Sequence, residues 1–196
     1  MASKVFDIVN KTYRYISLSF LFWLYTVKGL MIYSIISAPC AIFKTFETIR
    51  TENKDIEISK EYKRNAKKFD KTRLPSFILA FVTISIISLL FLLAKTNSPY
   101  TLLFSIILIY LLCTAYVYIV YLSYHLSILN KAGKEAYILA YVAIFRNFGI
   151  SLSLVVMMIL LIAVAWYNLF LFFVIAPSIL YRFAYYVLSK RLPKRN

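Results

Sequence analysis

The sequence predicts an all-α polytopic membrane protein, a transmembrane helical bundle of about five spans with a broken or re-entrant first element. Three observations predict it. The first is composition: the 196 residues are 62% hydrophobic and 16% charged, where soluble domains are about half and about a quarter, and mean hydropathy is +0.75. The second is that the apolar residues fall in runs matching the ~20 residues a helix needs to cross the ~30 Å hydrocarbon layer. The third is that these runs do not alternate polar with apolar residues, so their backbone groups are satisfied as helices rather than as barrel strands.

The first apolar run, Tyr15 to Phe43, is interrupted by Lys28, Gly29 and Pro39. Proline clashes with the preceding turn and disfavours helical geometry at the residue before it. A helix from Tyr15 to Ile36 is therefore expected to break at Ser37-Ala38-Pro39, with a shorter helix starting at Pro39. The run is too long for a cleaved signal peptide, and no small-residue cleavage site follows a short apolar core. Residues 44–74 form a charged segment, with ten basic residues and six acids between Lys44 and Arg73. Ile58, Tyr62, Asn65, Ala66 and Phe69 recur within it at about helical spacing among Lys and Arg. That is the pattern of an amphipathic helix on a membrane surface, serving as a lipid anchor or as a docking helix. Pro75 to Ala94 and Tyr100 to Leu126 read as spans joined by a loop with one charge, Lys95. A second polar loop, residues 129–147, offers Ala132, Ala136, Leu139, Ala140 and Ala143 as a small-residue packing face. Phe148 to Trp166 and Leu169 to Leu188 read as the last spans, joined at Tyr167 and Asn168. Residues 1–196 thus read as one membrane domain.

Orientation follows from Lys and Arg, which collect in cytoplasmic loops. Residues 44–74, the loop with Lys131, Lys134 and Arg146, and the tail with Lys190, Arg191, Lys194 and Arg195 are placed inside. The C-terminus is therefore cytoplasmic, and the turns at Lys95 and at Tyr167 and Asn168 face outward. Lys4, Lys11 and Arg14 favour an inside N-terminus, which requires the broken first element. The rival is an external N-terminus followed by five plain crossings. Anionic membrane lipids account for the net charge of +15, at about 1 kcal/mol per near-surface cation, and no nucleic-acid partner is expected.

Chemistry is sparse. Cys40 and Cys113 lie on different runs and there is one histidine, so neither zinc spacing nor a disulfide framework exists, and both thiols read as packing residues. The four clear runs hold no Asp or Glu, the groups that relay protons or hold Na⁺ in transporters. There is no GxxxxGK[ST], and no nucleophile with an evident base. Neither enzymatic activity, nor a cofactor, nor a metal is expected. Charges inside spans are the best functional pointers, and Lys28 is the strong candidate. It stands ~23 Å along a helix that starts near Tyr13, close to the outer surface. Two readings fit it: snorkelling or packing against a carbonyl, or contact with a ligand or ion. Arg182 is expected to reach headgroups, and His125 to be a boundary residue.

The stretch FLFWLYTVKGLMIYSIISAPCAIFKTF resembles the opening of the YesL-like family of bacterial integral membrane proteins, through Trp23, Gly29, Pro39, Ala41 and Phe43. APC stands where the family has a small-residue triplet. YKRNAKKFDKTRLPSF, HLSILNKAGKEAYILAYVAIFRNF and APSILYRFAYYVLSKRL are similar to later parts of the family, so the likeness covers nearly the whole chain. The family's proline before the second cytoplasmic loop has no counterpart in YIVYLSYHL. The resemblance implies the plasma membrane of a Gram-positive bacterium. It also implies an accessory membrane subunit that docks to the permease subunits of a carbohydrate (oligosaccharide) ABC importer and stabilises or regulates it. Trp23, Lys28, Gly29 and Pro39 would then carry the broken-helix geometry, and Tyr62, Arg64 and Phe69 the cytoplasmic docking. The alternative is a stand-alone small-solute transporter or channel, lined by hydroxyl side chains such as Tyr116, Tyr118, Tyr121 and Tyr124.

Overall fold

A computed structural model describes residues 2–51, 57–96, 99–131 and 133–192. Glu52, Lys54 and Asp55 of the charged segment, Ala132, and the tail residues Lys194 and Arg195 lie outside the described residues, as do the side chains of Lys4 and Lys11. The described residues form helices α1 (Ala2–Lys28), α2 (Ser37–Thr51), α3 (Ile58–Lys68), α4 (Arg73–Leu93), α5 (Thr101–Ser127), α6 (Gly133–Arg146), α7 (Phe148–Tyr167) and α8 (Leu169–Arg191). A 3-10 turn, Asp70–Thr72, joins α3 to α4, and no strand occurs among the described residues.

Among the described residues four stretches are long and apolar enough to cross a membrane: Asp70–Leu93, Thr101–Ser127, Phe148–Tyr167 and Leu169–Arg191. They match the four clear apolar runs within a few residues. Helix α1 is not among them, so the described residues carry four such helices where about five were expected. The first run is broken, but not at the expected place. Helix α1 ends at Lys28 and α2 begins at Ser37, so Pro39 sits in the first turn of a helix instead of ending one. A first-turn amide has no intrahelical acceptor, and proline loses nothing there. Pro75 occupies the same position in α4.

The four apolar helices pair as two hairpins, α4 on α5 and α7 on α8. The second hairpin turns at Asn168, whose side chain caps α8 by accepting the Leu171 amide at 3.0 Å. The two halves of α5 differ. From Thr101 to Leu111 it meets α4 and otherwise exposes Leu102, Leu103, Phe104, Ile106, Ile107, Ile109 and Leu111. From Val117 to Ser127 it is almost wholly buried, because there α2, α6, α7 and α8 close around it.

Helix α2 is the centre of that closure. Ala38 through Phe43 are buried without interruption, and the Phe43 ring meets Tyr181 edge-on at 5.3 Å and Tyr124 at 5.8 Å. A helical stretch that is apolar on every side belongs to a core, and α2, which carries this stretch in its first half, touches α1, α3, α5 and α8. Helix α6 presents the small-residue face its sequence offers: Ala136, Ala140 and Ala143 are buried where it packs on α5 and α7.

Candidate functional site

The residues singled out in the sequence fall in three places. The first is the seam between α1 and α8. Trp23 lies there, its indole N–H donating to the Phe173 carbonyl at 3.0 Å and its ring 4.7 Å from that of Phe173. About one turn toward the other end of α1, the Ser19 hydroxyl donates to Ser178 Oγ at 2.8 Å. Ser178 Oγ in turn donates to the Tyr15 carbonyl at 2.6 Å. Arg182 lies over the Tyr15 ring at 4.6 Å, so a residue expected among headgroups stacks on an aromatic of the same chain. Pro177 lies inside α8, beside these contacts. The sequence reading missed it, although a proline within an apolar run signals a freed carbonyl four residues earlier.

The second place is α3. Its periodicity is that of a helix, and its stripe points into the protein. Tyr62 is fully buried, its hydroxyl donates to the Ala38 carbonyl at 3.2 Å, and its ring meets Tyr25 at 5.3 Å. Burial pushes the Tyr62 phenol well above its ordinary value, with nearby Tyr25 and Cys40 adding to the effect. Ile58 and Ala66 are buried too, and Phe69 is half-buried at the helix end. Arg64 is exposed and pairs with Glu61 at 2.8 Å. That Glu61 carboxylate is itself buried, and it also accepts from Asn65 Nδ2 at 3.1 Å. Asn65 donates as well to Thr45 Oγ1 on α2, at 3.3 Å. Of the three residues expected to dock a partner, Arg64 is the one with an open face. Tyr62 belongs to the core that joins α3 to α2 and α1.

The third place is the bend that follows α1. Lys28 is the last residue of α1, and Gly29 opens an irregular turn through Ile36. The carbonyls at the end of α1 are taken by that turn. Gly29 N–H donates to Tyr25 O, Leu30 N–H to Val27 O and Met31 N–H to Thr26 O, at 3.0, 2.9 and 2.8 Å. Ser34 Oγ also donates to Thr26 O, at 3.1 Å. A Cβ on Gly29 would lie 2.7 Å from Ser34 Cβ, so the close return of the chain requires glycine at this position. Lys28 does not stand apart from the charged segment, as its place along the first helix led one to expect. Helix α3 runs beside α1, and a hollow of ≈ 430 Å³ brings Lys28, Gly29, Tyr33 and Ser34 together with Ala66, Lys67, Asp70 and Arg73. No spacing of residues signals this meeting, because it depends on how α3 packs. Pro39 is buried in α2 and does not line the hollow, although Ser37 in the same turn does.

Cys40 is buried, and that burial drives its thiol up, only partly countered by its hydrogen bond to Ser123. His125 lies in the last turn of α5 and is buried, with Nδ1 2.8 Å from the Tyr121 carbonyl. Among the described residues no group of three or more His, Cys, Asp or Glu side chains is placed to hold a metal ion. No protein family matches the chain, and neither does any curated protein or solved structure.

Proposed function

We propose that the chain is a multi-pass protein of a bacterial plasma membrane, with its C-terminus cytoplasmic, that acts as a non-catalytic accessory subunit. Its partner in this reading is the permease pair of a carbohydrate ABC importer, which it stabilises or regulates. The observation that carries the accessory role is the arm formed by α4 and the first half of α5. This arm exposes Phe77, Phe81, Ile84, Ile87 and Phe91 on one helix and Phe104, Ile107 and Tyr110 on the other. Its own chain leaves these side chains uncovered, and an apolar environment of lipid and partner helices suits them. The cytoplasmic side follows from the distribution of Lys and Arg. The choice of importer comes from the resemblance of the sequence to YesL-like proteins, and the non-catalytic reading from apolar runs that hold no Asp or Glu.

Affinity purification in mild detergent tests this reading. Permease subunits are expected to be recovered with the chain. Recovery of the chain alone, with the importer fully active in a deletion strain, overturns it.

A second reading, a stand-alone path for a small neutral solute, has one observation in its favour. The hydroxyl oxygens of Tyr116 and Ser123 on α5 and of Ser76 on α4 are buried without a hydrogen-bond partner among the described residues. Buried hydroxyls are normally paired. Solute uptake by liposomes holding this protein alone would favour that reading over the accessory one.

A further inference from the structure

The hollow at the end of α1 joins three features that the accessory role does not use. The first is charge. Lys28 faces it from α1, and Lys67 and Arg73 from the far side, against one carboxylate, Asp70. Asp70 is committed to Arg73 at 2.9 Å. Neither Lys28 nor Lys67 has a hydrogen-bond or ion-pair partner among the described residues. The carbonyls that a helix-terminal lysine would otherwise cap are already served by the Gly29–Met31 amides and Ser34. Two ammonium groups without a carboxylate partner, and the Arg73 guanidinium paired with Asp70 beside them, therefore line one space, which keeps a net positive charge.

The second feature is strain. Leu30, which lines the hollow, and Met31 after it have φ of 53° and 58°, the left-handed region, which is strained for a non-glycine residue. Such strain persists where surrounding structure over-determines it, and it clusters at binding sites. Here it folds the chain back so that Ser34 and Ser37 complete the wall of the hollow.

The third feature is what lies next to the cations. Tyr33 on the rim stacks on Phe77 at 5.9 Å, and Leu74, Phe77, Ile78 and Phe81 continue from there as exposed apolar side chains along α4. Cations that give way directly to an apolar strip match a molecule with an anionic head and hydrocarbon chains.

We propose that this hollow binds the phosphate of an anionic glycerophospholipid, held by Lys28, Lys67 and Arg73, with its acyl chains against the α4 strip. Arginine offers a forked donor set to phosphate oxygens, and lysine a point charge. The proposal rests on the reading that α4 lies in a membrane, and is independent of the importer.

The test uses the full-length protein in a neutral detergent, with native mass spectrometry to follow added phosphatidylglycerol, phosphatidylcholine or inorganic phosphate. Phosphatidylglycerol is expected to be retained in preference to phosphatidylcholine. Lys28→Gln and Lys67→Gln should each weaken its binding about fivefold, the loss of one near-surface cation. Lys131→Gln, which removes the partner of Glu135 on another face, should leave it unchanged. Both hollow lysines are exposed, so these variants should melt as the parent does. Equal retention of phosphatidylglycerol by the parent and by a Lys28→Gln/Lys67→Gln variant overturns the proposal. So does inorganic phosphate binding that is lost in these variants while phosphatidylglycerol binding is not. Carbonate extraction of native membranes tests the membrane reading separately: release of the protein would sink that reading whatever the lipid data show.

Discussion

The indole N–H of Trp23 donates to the carbonyl of Phe173, the acceptor that an amide at position 177 would serve if that residue were not Pro177. Proline in a helix interior frees the carbonyl four residues back, and here a side chain from the opposite end of the chain takes it. The next amide is also diverted outward, Ser178 N–H donating to Ser19 Oγ at 3.3 Å. Trp23→Phe should therefore lower stability by about 1 kcal/mol, the usual net value of one hydrogen bond. In a Pro177→Ala background the restored amide serves Phe173, and the same change should cost little. Thermal unfolding of the four proteins in detergent gives the coupling, and equal losses in both backgrounds would show that the proline and the indole are unrelated.

Gly29→Ala places a methyl group against Ser34 Cβ, which is itself tied to Thr26. The turn must shift, and overpacking of this kind costs about 1–3 kcal/mol. Adding Ser34→Gly to the same molecule removes the obstructing atom and should recover part of the loss. A Gly29→Ala protein that melts with the parent would mean that the turn gives way freely.

Cys40 is buried and its thiol is pushed upward, so thiolate is scarce and inaccessible at neutral pH. In a Cys113→Ser protein, a maleimide should leave the folded chain unlabelled and react fully after denaturation in SDS. Prompt labelling of the folded protein would contradict the closed packing of α2.

Tyr62 should confer a dependence on alkaline pH. Its phenol is raised well above the ordinary value of 10.0 by burial, so the folded state keeps a proton that the unfolded chain releases. The stability it contributes is fully present below about pH 10 and falls as pH rises from there toward the folded value, by up to about 1.4 kcal/mol per pH unit. Tyr62→Phe removes that slope while losing the bond to Ala38, so it should melt lower than the parent at neutral pH and draw closer to it above pH 10. Parallel melting curves across that range would count against a buried, protonated phenol.

The long helices were legible because the ~20-residue apolar run is a direct requirement of crossing hydrocarbon. Phe148 and Leu169 begin helices where the sequence placed them. The break in the first run was legible as a fact but not as a position. Proline at 39 is tolerated in a first turn, whereas the actual bend uses left-handed Leu30 and Met31, residues with no local preference for it. Periodicity likewise announced a helical stripe through Tyr62 without saying what the stripe would face. The hollow around Lys28 was illegible for the same reason: Lys67 and Arg73 reach it through the path of α3, and no spacing in the sequence encodes that path.

The pairing of α1 with α8 sets an order of events during synthesis. Ser19 and Ser178 are 159 positions apart, so a chain made from its N-terminus leaves the serine and indole donors of α1 without their α8 partners until α8 itself exists. Contacts this remote in sequence carry a large closure cost and form late. Helix α1 can settle on α2 and α3 soon after they are made, but its seam with α8 stays open through the synthesis of every helix between them, and during that interval this face of α1 is the surface most in need of shelter.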